Sequence, residues 1–339
     1  MNHLLRLWTG PLPKEELFPD REYAPLTHWF IHPVKRRLAK YYLLILQKFF
    51  GLIVIGITGS VGKTTTKKML ESILPGCVAT ADNTTSTYNI PSTILRTPLG
   101  TKYLILEMGV EYIGDMDFYL WLAHPDIAII APISLTHTQY LKNLETIISE
   151  KNKITKYAKH VVSYKNIKAS GYEINQDIVA QVAAILKVPA NLNSFIPPAH
   201  RMNFIILKNG SILIDDSYNA SPLSTQEALK TLVKISKEKK LTPVFIFGQM
   251  NELGQYEKDS HEEVGKLIKK FNIKNLYCIG PATKHTISSA GFGSYFENQE
   301  DLLNVISNMI HNSLFIILIK GSHSWHLENL VDKLLLLSS

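Results

Sequence analysis

The chain has 339 residues, of which 45% are hydrophobic and 19% are charged, and its formal net charge is +7. This composition is typical of a globular protein that is long enough to form two domains with separate cores. Cys77 and Cys278 lie far apart and fit no CxxC spacing, which excludes a zinc ribbon or a disulfide framework and indicates a reducing, cytoplasmic compartment. The lysines are spread along the chain without a basic-aromatic motif, so we expect no nucleic-acid partner.

Residues 1–50 form the first predicted segment, an irregular N-terminal arm that leads into one helix. The arm is rich in proline, and a basic, amphipathic stretch follows it from His32 to Phe50. The apolar run from Tyr41 to Ile57 is interrupted by Lys48 and Gly51 and is too short for a membrane span. We expect the helix to pack on the domain that follows, with peripheral membrane contact as the less favoured alternative.

Residues 51–195 are predicted to form an α/β domain. Short apolar runs alternate there with helical periodicity, which is typical of a doubly wound parallel sheet. The predicted strands are 52–57, 103–106 and 126–130, and the predicted helices are 63–74 and 144–157.

Residues 196–339 are predicted to form a second, Rossmann-like α/β domain, joined to the first by a hinge over 193–198. The predicted strands are 211–214, 243–247, 276–279 and 315–319, and the predicted helices are 224–237, 261–271 and 300–311. Since open α/β sheets bind ligands at the ends of their strands, Gly248–Gly254 and Lys320–Ser322 are candidates for an amino substrate.

The strongest motif is a phosphate-binding loop between a strand and a helix. The residues with phosphate-binding character are Gly59, Ser60, Val61, Gly62, Lys63, Thr64 and Thr65. The glycines allow the backbone to approach a phosphate, Lys63 supplies a positive charge, and the Thr64 hydroxyl suits Mg²⁺. The longer Walker spacing would require glycine at position 57, where Ile57 stands, so only the shorter Gly-x-x-Gly-Lys-Thr form fits.

Seven motifs in order resemble the Mur ligase family from about residue 52 to the C-terminus. They are GITGSVGKTTTKKML, LILEMGVEYIGDM, PISLTHTQYLKNLETIISEKNKI, PPAHRMNF, IDDSYNASPLSTQEAL, FGQMNELG and KGSHSWHLE. The last three are most similar to the branch that adds D-alanyl-D-alanine to a UDP-muramoyl tripeptide. The resemblance implies an ATP-dependent ligase that forms an amide bond through an acyl phosphate, with a UDP-muramoyl-peptide-like acceptor and an amino acid or dipeptide as substrates.

The resemblance also implies roles for individual residues. Thr64, Glu107, His137 and a carbamylated Lys151 would hold two Mg²⁺ ions, with Lys153 as the alternative modified lysine. Arg201 would reach the γ-phosphate of ATP, and Asp216, Tyr218 and Asn219 would contact the nucleotide. The implied catalytic residues are Lys63, His137, Lys151 and Arg201.

The sequence departs from the family pattern at several points. Residues 1–50 are too few to build the usual N-terminal domain, and the stretch from Lys151 to Arg201 is short and lacks the expected strands. His200 replaces the usual glycine and Asn203 replaces the usual acid. Asn89 also replaces a glycine, a change that a left-handed backbone could tolerate. Two alternatives stay open, a folylpolyglutamate or poly-amino-acid ligase and a non-catalytic ATP-binding partner.

Overall fold

The computed structural model describes residues 2–13, 27–81, 86–164 and 172–337. The chain divides into two compact units, Met1–Ile133 with Tyr140–Ile196, and Ser134–Gln139 with Pro197–Ser339. Within the described residues, no helix combines the length and apolar composition needed to cross a bilayer.

The first unit contains a five-stranded parallel sheet in the order β2-β3-β1-β4-β5. Its strands are β1 (Ile53–Thr58), β2 (Val78–Ala79), β3 (Tyr103–Glu107), β4 (Ile127–Ile130) and β5 (His160–Ser163). Its helices are α1 (Asn2–Thr9), α2 (His32–Phe50), α3 (Lys63–Ile73), α4 (Ser86–Leu95), α5 (Asp115–Leu122), α6 (Thr138–Leu141, at the boundary between the units), α7 (Leu144–Asn152) and α8 (Tyr172–Leu186). A π-helical turn, Thr27–Ile31, precedes α2, and a 3₁₀ turn, Lys153–Tyr157, follows α7.

Both faces of this sheet are buried, as its continuous apolar strands require. Val54, Leu104 and Leu106 point to the face covered by α2, α4 and α5. Ile55 and Ile105 point to the opposite face, covered by α3 and α8. The predicted doubly wound parallel sheet is therefore confirmed.

The second unit contains a six-stranded sheet in the order β10-β9-β8-β11-β7-β6. Its strands are β6 (Asn203–Ile206), β7 (Ile212–Asp216), β8 (Thr242–Gly248), β9 (Asn275–Ile279), β10 (Ser294–Phe296) and β11 (Phe315–Lys320). Its helices are α9 (Pro222–Lys239), α10 (Glu257–Lys270), α11 (Thr283–Ala290), α12 (Gln299–Asn312) and α13 (Glu328–Leu337), with 3₁₀ turns at Gly254–Tyr256 and His323–Trp325. All neighbouring strands are parallel except the antiparallel pair β6–β7.

Two expectations about local structure are corrected, and the backbone at Asn89 is defined. The stretch from Lys151 to Arg201 does contain a strand, β5, which pairs with β4. The N-terminal arm is not wholly irregular, because α1 lies within it; residues 14–26 of that arm lie outside the described residues. Asn89 needs no left-handed backbone, because it lies inside α4, where its side chain bonds both the N–H and the carbonyl of Ala81.

Candidate active site

The loop between β1 and α3 has a backbone path that its two glycines make possible. Gly59 has φ +145°, and a Cβ there would lie 2.7 Å from the Ala131 Cβ. Gly62 has φ +85°, and a Cβ there would lie 2.6 Å from the Asn175 Nδ2 atom. Because an L side chain would meet both strain and a clash, the tight turn into α3 depends on glycine at each position.

The first half of the loop is tied to the end of β4. The N–H groups of Ser60 and Val61 both donate to the Pro132 carbonyl, at 2.8 and 3.1 Å. Helix α3 then begins at Lys63 without a side-chain cap. The N–H groups of a first helical turn have no carbonyl four residues earlier in the helix to bond, and they carry the positive end of the helix dipole. The start of α3 therefore provides the geometry for binding an anion.

Strand register brings Glu107 to this loop. Ile57, just before the loop, pairs with Glu107 at the end of β3. The Thr64 hydroxyl lies 3.1 Å from Glu107 Oε1 and 3.2 Å from Oε2. The Glu107 side chain keeps 20% of its surface exposed, so the two hard oxygen ligands converge at an open edge of the sheet. This pair of donors fits Mg²⁺, which prefers carboxylate and hydroxyl oxygens.

Lys67 is a site residue that the sequence reading missed. Its side chain is fully buried, its Nζ donates to the Thr80 carbonyl at 2.7 Å, and it lies 3.6 Å from Glu107 Oε2. Thr80 also accepts the Glu107 N–H through its hydroxyl. Glu107 is thus held from three sides, by Thr64, Lys67 and Thr80. The available signal was a lysine one helical turn after Lys63.

Lys151 lies under the loop. Its side chain is buried in α7, and its Nζ donates to the Gly59 carbonyl at 3.1 Å. Burial, with a further effect of the Lys63 charge, lowers the pKa of Lys151 to about 7. The carboxylates of Asp115, Glu111 and Glu150 act in the opposite direction.

Lys153, the alternative to Lys151, has different surroundings. Its ammonium pairs with Asp117 at 2.7 Å and with Glu150 at 2.6 Å, and a third of its side chain is exposed. These hydrogen bonds outweigh partial burial and raise the pKa of Lys153. Glu150 also accepts the N–H groups of Gly114 and Met116, so this ion pair anchors the start of α5.

Asn175 is a second residue that the sequence reading missed. It lies near the start of α8 and is buried. Its Nδ2 donates to the Gly62 carbonyl at 3.0 Å and to the Thr66 hydroxyl at 2.9 Å. Since these contacts span more than a hundred residues, no local pattern could reveal them. Asn175 holds the loop and α3 in one geometry.

Arg201, in the second unit, lies over an aromatic ring. Its guanidinium carbon is 3.9 Å from the centroid of Tyr218, whose ring also stacks with His323 at 5.2 Å. Neighbouring His200 bonds Asp215 at 2.8 Å through Nδ1, and its carbonyl accepts the Tyr218 N–H. A planar guanidinium held on an aromatic face is positioned to present its edge to an anion.

Asp216 and Asn219 meet at the carboxyl ends of β7 and β11, where the register pairs Asp216 with Lys320. The buried Lys320 ammonium lies 2.5 Å from Asp216 Oδ2 and donates to the Asn219 carbonyl at 2.9 Å. Burial raises the pKa of Asp216, and the Lys320 charge opposes that effect. The position of Lys320 at a strand end follows from the sequence, whereas its ion pair with Asp216 is visible only in the fold.

His137 belongs to the second unit, where it contacts Glu252 of the stretch Gly248–Gly254. Its Nδ1 lies 2.6 Å from Glu252 Oε2, and this hydrogen bond lowers the pKa of Glu252. Both residues have left-handed backbone, with φ of 54° and 61°. The adjacent Thr138 hydroxyl donates to the Leu253 carbonyl at 2.7 Å, which fixes the segment to the loop after β8.

These features define a class of protein, an α/β nucleotide-binding protein with a short-form phosphate loop. The family model of the Mur ligase middle domain matches residues 57–183, and that of the Mur ligase, glutamate ligase domain matches residues 200–323. Together they account for well over half of the chain, which belongs to the Mur ligase family. The predicted family and the predicted ligase class are thus confirmed.

Individual relatives agree with this assignment. A UDP-N-acetylmuramoyl-tripeptide–D-alanyl-D-alanine ligase from Buchnera aphidicola subsp. Baizongia pistaciae is 28% identical over 349 residues, which cover 83% of this chain and 75% of the relative. MurF from Acinetobacter baumannii has a similar fold, with a TM-score of 0.80 at 22% identity over 89% of this chain and 80% of that chain. MurF from Thermotoga maritima, in complex with ADP, gives a TM-score of 0.73 at 20% identity over 89% and 82%.

The folylpolyglutamate alternative has a weaker likeness. FolC from E. coli, in complex with DHPP and ADP, gives a TM-score of 0.56 at 13% identity over 88% of this chain and 92% of that chain. FolC therefore shares the fold, but its TM-score is lower than those of the two MurF structures.

Proposed function

We propose that this protein is an ATP-dependent ligase that adds D-alanyl-D-alanine, or a similar amino substrate, to a UDP-muramoyl-tripeptide carboxylate in peptidoglycan synthesis. The observation that carries the proposal is the Thr64–Glu107 pair at the mouth of a phosphate loop, within a chain of Mur ligase family membership. The names of its relatives supply the substrates. Such a reaction, which consumes ATP, belongs to the cytoplasm.

The first step would transfer the γ-phosphate of ATP to the acceptor carboxylate, giving an acyl phosphate and ADP. The amine of the second substrate would then attack the acyl carbon, form the amide bond and release phosphate. Negative charge develops on the transferred phosphoryl group, so positive groups must surround it. Lys63 and the start of α3 are placed to do so at the loop, and Arg201 is the candidate from the second unit.

Mg²⁺ would be held by Thr64 and Glu107, whose oxygens already converge, and it would neutralise charge on the phosphates. His137 is proposed as a ligand of a second ion. Its hydrogen bond through Nδ1 to Glu252 supports this role, because a carboxylate on one ring nitrogen orients the other for a metal.

Lys151 is proposed to act as a carbamate. Carbamylation requires the neutral amine, and the lowered pKa of this buried lysine favours that form at neutral pH. The product is an anion, which suits a position next to Lys63 and Mg²⁺ better than an ammonium does. Lys153 does not fit this role, because two carboxylates stabilise its ammonium form and so disfavour the neutral amine.

Asp216, Tyr218 and Asn219 are proposed to contact the nucleotide. The Tyr218 ring carries Arg201 on one face, and Lys320 orients both Asp216 and the Asn219 carbonyl. The ends of β8 and β11 are proposed to receive the amino substrate. There the Ser322 hydroxyl accepts the N–H of Asn251, which also bonds Ser324.

The test is release of ADP and phosphate by the purified protein with a panel of substrates. UDP-muramoyl tripeptide with D-alanyl-D-alanine should support turnover and yield the amide product by mass spectrometry. Dihydrofolate with glutamate should not. Turnover with the folate pair alone would favour the folylpolyglutamate alternative, and nucleotide binding without turnover on any pair would favour a non-catalytic partner.

A further inference from the structure

Helix α2 has two apolar faces, of which only one is used within the protein. One face packs on α4 and α5 through Ala39, Leu43 and Leu46. Arg36 is also buried on it, with its guanidinium 5.8 Å from the Tyr88 ring and 5.2 Å from the Phe118 ring. The expectation that this helix packs on the domain that follows is met by this face alone.

The opposite face is apolar and exposed. Its members, which we name the apolar stripe, are Ile31, Val34, Leu38, Tyr41, Ile45 and Phe49. They recur every three or four residues and therefore form one line along the helix. Their exposed fractions run from 44% for Val34 to 70% for Phe49. Because α2 has 19 residues, this line is about 28 Å long, whereas exposed apolar side chains on a soluble protein are usually scattered singly.

Helix α1 extends this surface. Its residues Leu4, Leu7 and Trp8 are exposed. Arg37 of α2 joins the two helices, because its guanidinium lies 5.2 Å from the centroid of the Trp8 ring and donates to the Leu7 and Trp8 carbonyls. The Trp8 indole N–H also donates to the Trp29 carbonyl at 2.6 Å. These contacts fix α1 to the start of α2.

The charge of this surface has one sign. Residues 2–13 and 27–50 contain six arginines and lysines and no aspartate or glutamate; the four carboxylates of the first fifty residues all fall between Glu15 and Glu22. Arg6 and Lys48 are exposed, and the Lys48 ammonium lies 5.6 Å from the Phe49 ring, beside the apolar stripe. Lysine and arginine flanking apolar and aromatic side chains form the pattern of a helix that lies in a membrane interface.

We propose that α1 and α2 dock this protein peripherally on an anionic phospholipid surface. The apolar stripe enters the boundary between headgroups and acyl chains, and Arg6 and Lys48 meet the lipid phosphates. Charge complementarity favours an anionic phospholipid surface over a second copy of the chain as the partner of the apolar stripe. Pairing two copies of α2 along the stripe would bring lysines and arginines together with no carboxylate on α2 to oppose them, whereas helix pairs are held in register by opposite charges.

The experiment is vesicle sedimentation of the full-length protein. The probes are vesicles of phosphatidylcholine alone and of phosphatidylcholine with about one third phosphatidylglycerol. The stripe variant is Leu38→Glu with Ile45→Glu. The matched control is Ile206→Glu with Leu336→Glu, which also replaces two exposed aliphatic residues and changes the net charge by the same amount. Thermal unfolding of each variant verifies the fold, and sedimentation velocity without lipid reports self-association.

We expect the unmodified protein and the control to bind the anionic vesicles, and the stripe variant to bind about tenfold or more weakly. Binding should weaken on neutral vesicles and at high salt, where lipid charge is absent or screened. Three outcomes would overturn the proposal: no binding by the unmodified protein, equal binding by the stripe variant, or an equal loss in the control. A dimer that only the stripe variant breaks, with no vesicle binding, would assign the surface to a second copy. None of these outcomes depends on ligase activity, so the proposed function is tested separately.

Discussion

Replacing Lys151 with methionine should make the first unit more stable while abolishing ligase turnover. The side chain is buried, and its pKa falls from 10.5 to about 7, mainly through burial and then through the charge of Lys63. The folded protein therefore destabilises the ammonium form. Methionine has a similar length and no charge, so Lys151→Met removes that cost.

The magnitude and its pH dependence follow from the two pKa values. Between about pH 7 and 10.5 the unfolded chain holds a proton on Lys151 that the folded chain lacks, so stability of the unmodified protein rises with pH across this window. Below pH 7 the full cost applies, about 4–5 kcal/mol. Losing the hydrogen bond to the Gly59 carbonyl offsets about 1 kcal/mol. Lys151→Met should thus gain about 3–4 kcal/mol at pH 6, and this gain should fall to zero at about pH 10, where the remaining ionisation cost equals the lost hydrogen bond.

The assay is urea unfolding from pH 6 to 10.5 in buffer depleted of carbon dioxide, so that Lys151 stays unmodified. Of the four tryptophans, only Trp325 lies in the second unit, so a Trp325→Phe background makes the emission report on the first unit. Lys153→Met is the matched control. The pKa of Lys153 is raised, so its ion pairs stabilise the folded protein below pH 10.5 and cease to do so above it. Lys153→Met should therefore lower the free energy of unfolding by no more than about 1 kcal/mol. A Lys151→Met protein that is less stable at pH 6, or whose gain is the same at every pH, would refute this reasoning.

Three further predictions concern the same unit. Lys63→Ala should abolish nucleotide turnover while thermal unfolding stays near that of the unmodified protein, and unchanged turnover would reject the phosphate-loop assignment. Lys151→Ala and Lys151→Arg should both be nearly inactive, and short-chain carboxylic acids should partly restore only the alanine variant. Bicarbonate should raise the activity of the unmodified enzyme after carbon dioxide has been removed. A fully active arginine variant would reject the carbamate. Lys67→Met should lower the free energy of unfolding by about 3 kcal/mol because it leaves Glu107 without its buried partner. Lys68→Met, which breaks the partly exposed pair with Glu71, should change the free energy of unfolding by less than about 1 kcal/mol in the same urea titration.

Elements with a clear period or a long apolar run were predictable from the sequence. The helix expected over 63–74 is Lys63–Ile73, and the strand expected over 315–319 is Phe315–Lys320. Strand β5 was missed because it lies at a sheet edge and three of its four residues are exposed, so it has no apolar run. Helix α5 was missed for the opposite reason. Its sequence, DMDFYLWL, is apolar on nearly every side and shows no helical period.

Some residues of the candidate site are likewise predictable from the sequence, and others are not. The loop from Gly59 to Thr65 is recognisable from a short stretch of sequence, because glycines, a lysine and a threonine must follow each other closely to hold a phosphate. Lys67 and Asn175 are recognisable only once the chain is folded, since their partners come from other elements. Glu252 lies in the stretch expected to receive the amino substrate, but its contact with His137, across more than a hundred residues, is visible only in the fold.

Both units use the same arrangement at the carboxyl ends of their parallel strands. In the first, the buried ammonium of Lys67 faces Glu107; in the second, that of Lys320 faces Asp216. A carboxylate at such an edge loses hydration, and the raised pKa of Asp216 records that cost. A lysine fixed in the core offsets the cost without entering the open side of the site, which stays accessible to a ligand. Since a hydrophobic pair of similar volume would be at least as stable there, fold stability alone does not account for these charged pairs. We propose that these charged pairs serve ligand binding, because a ligand needs a charge that is already in place.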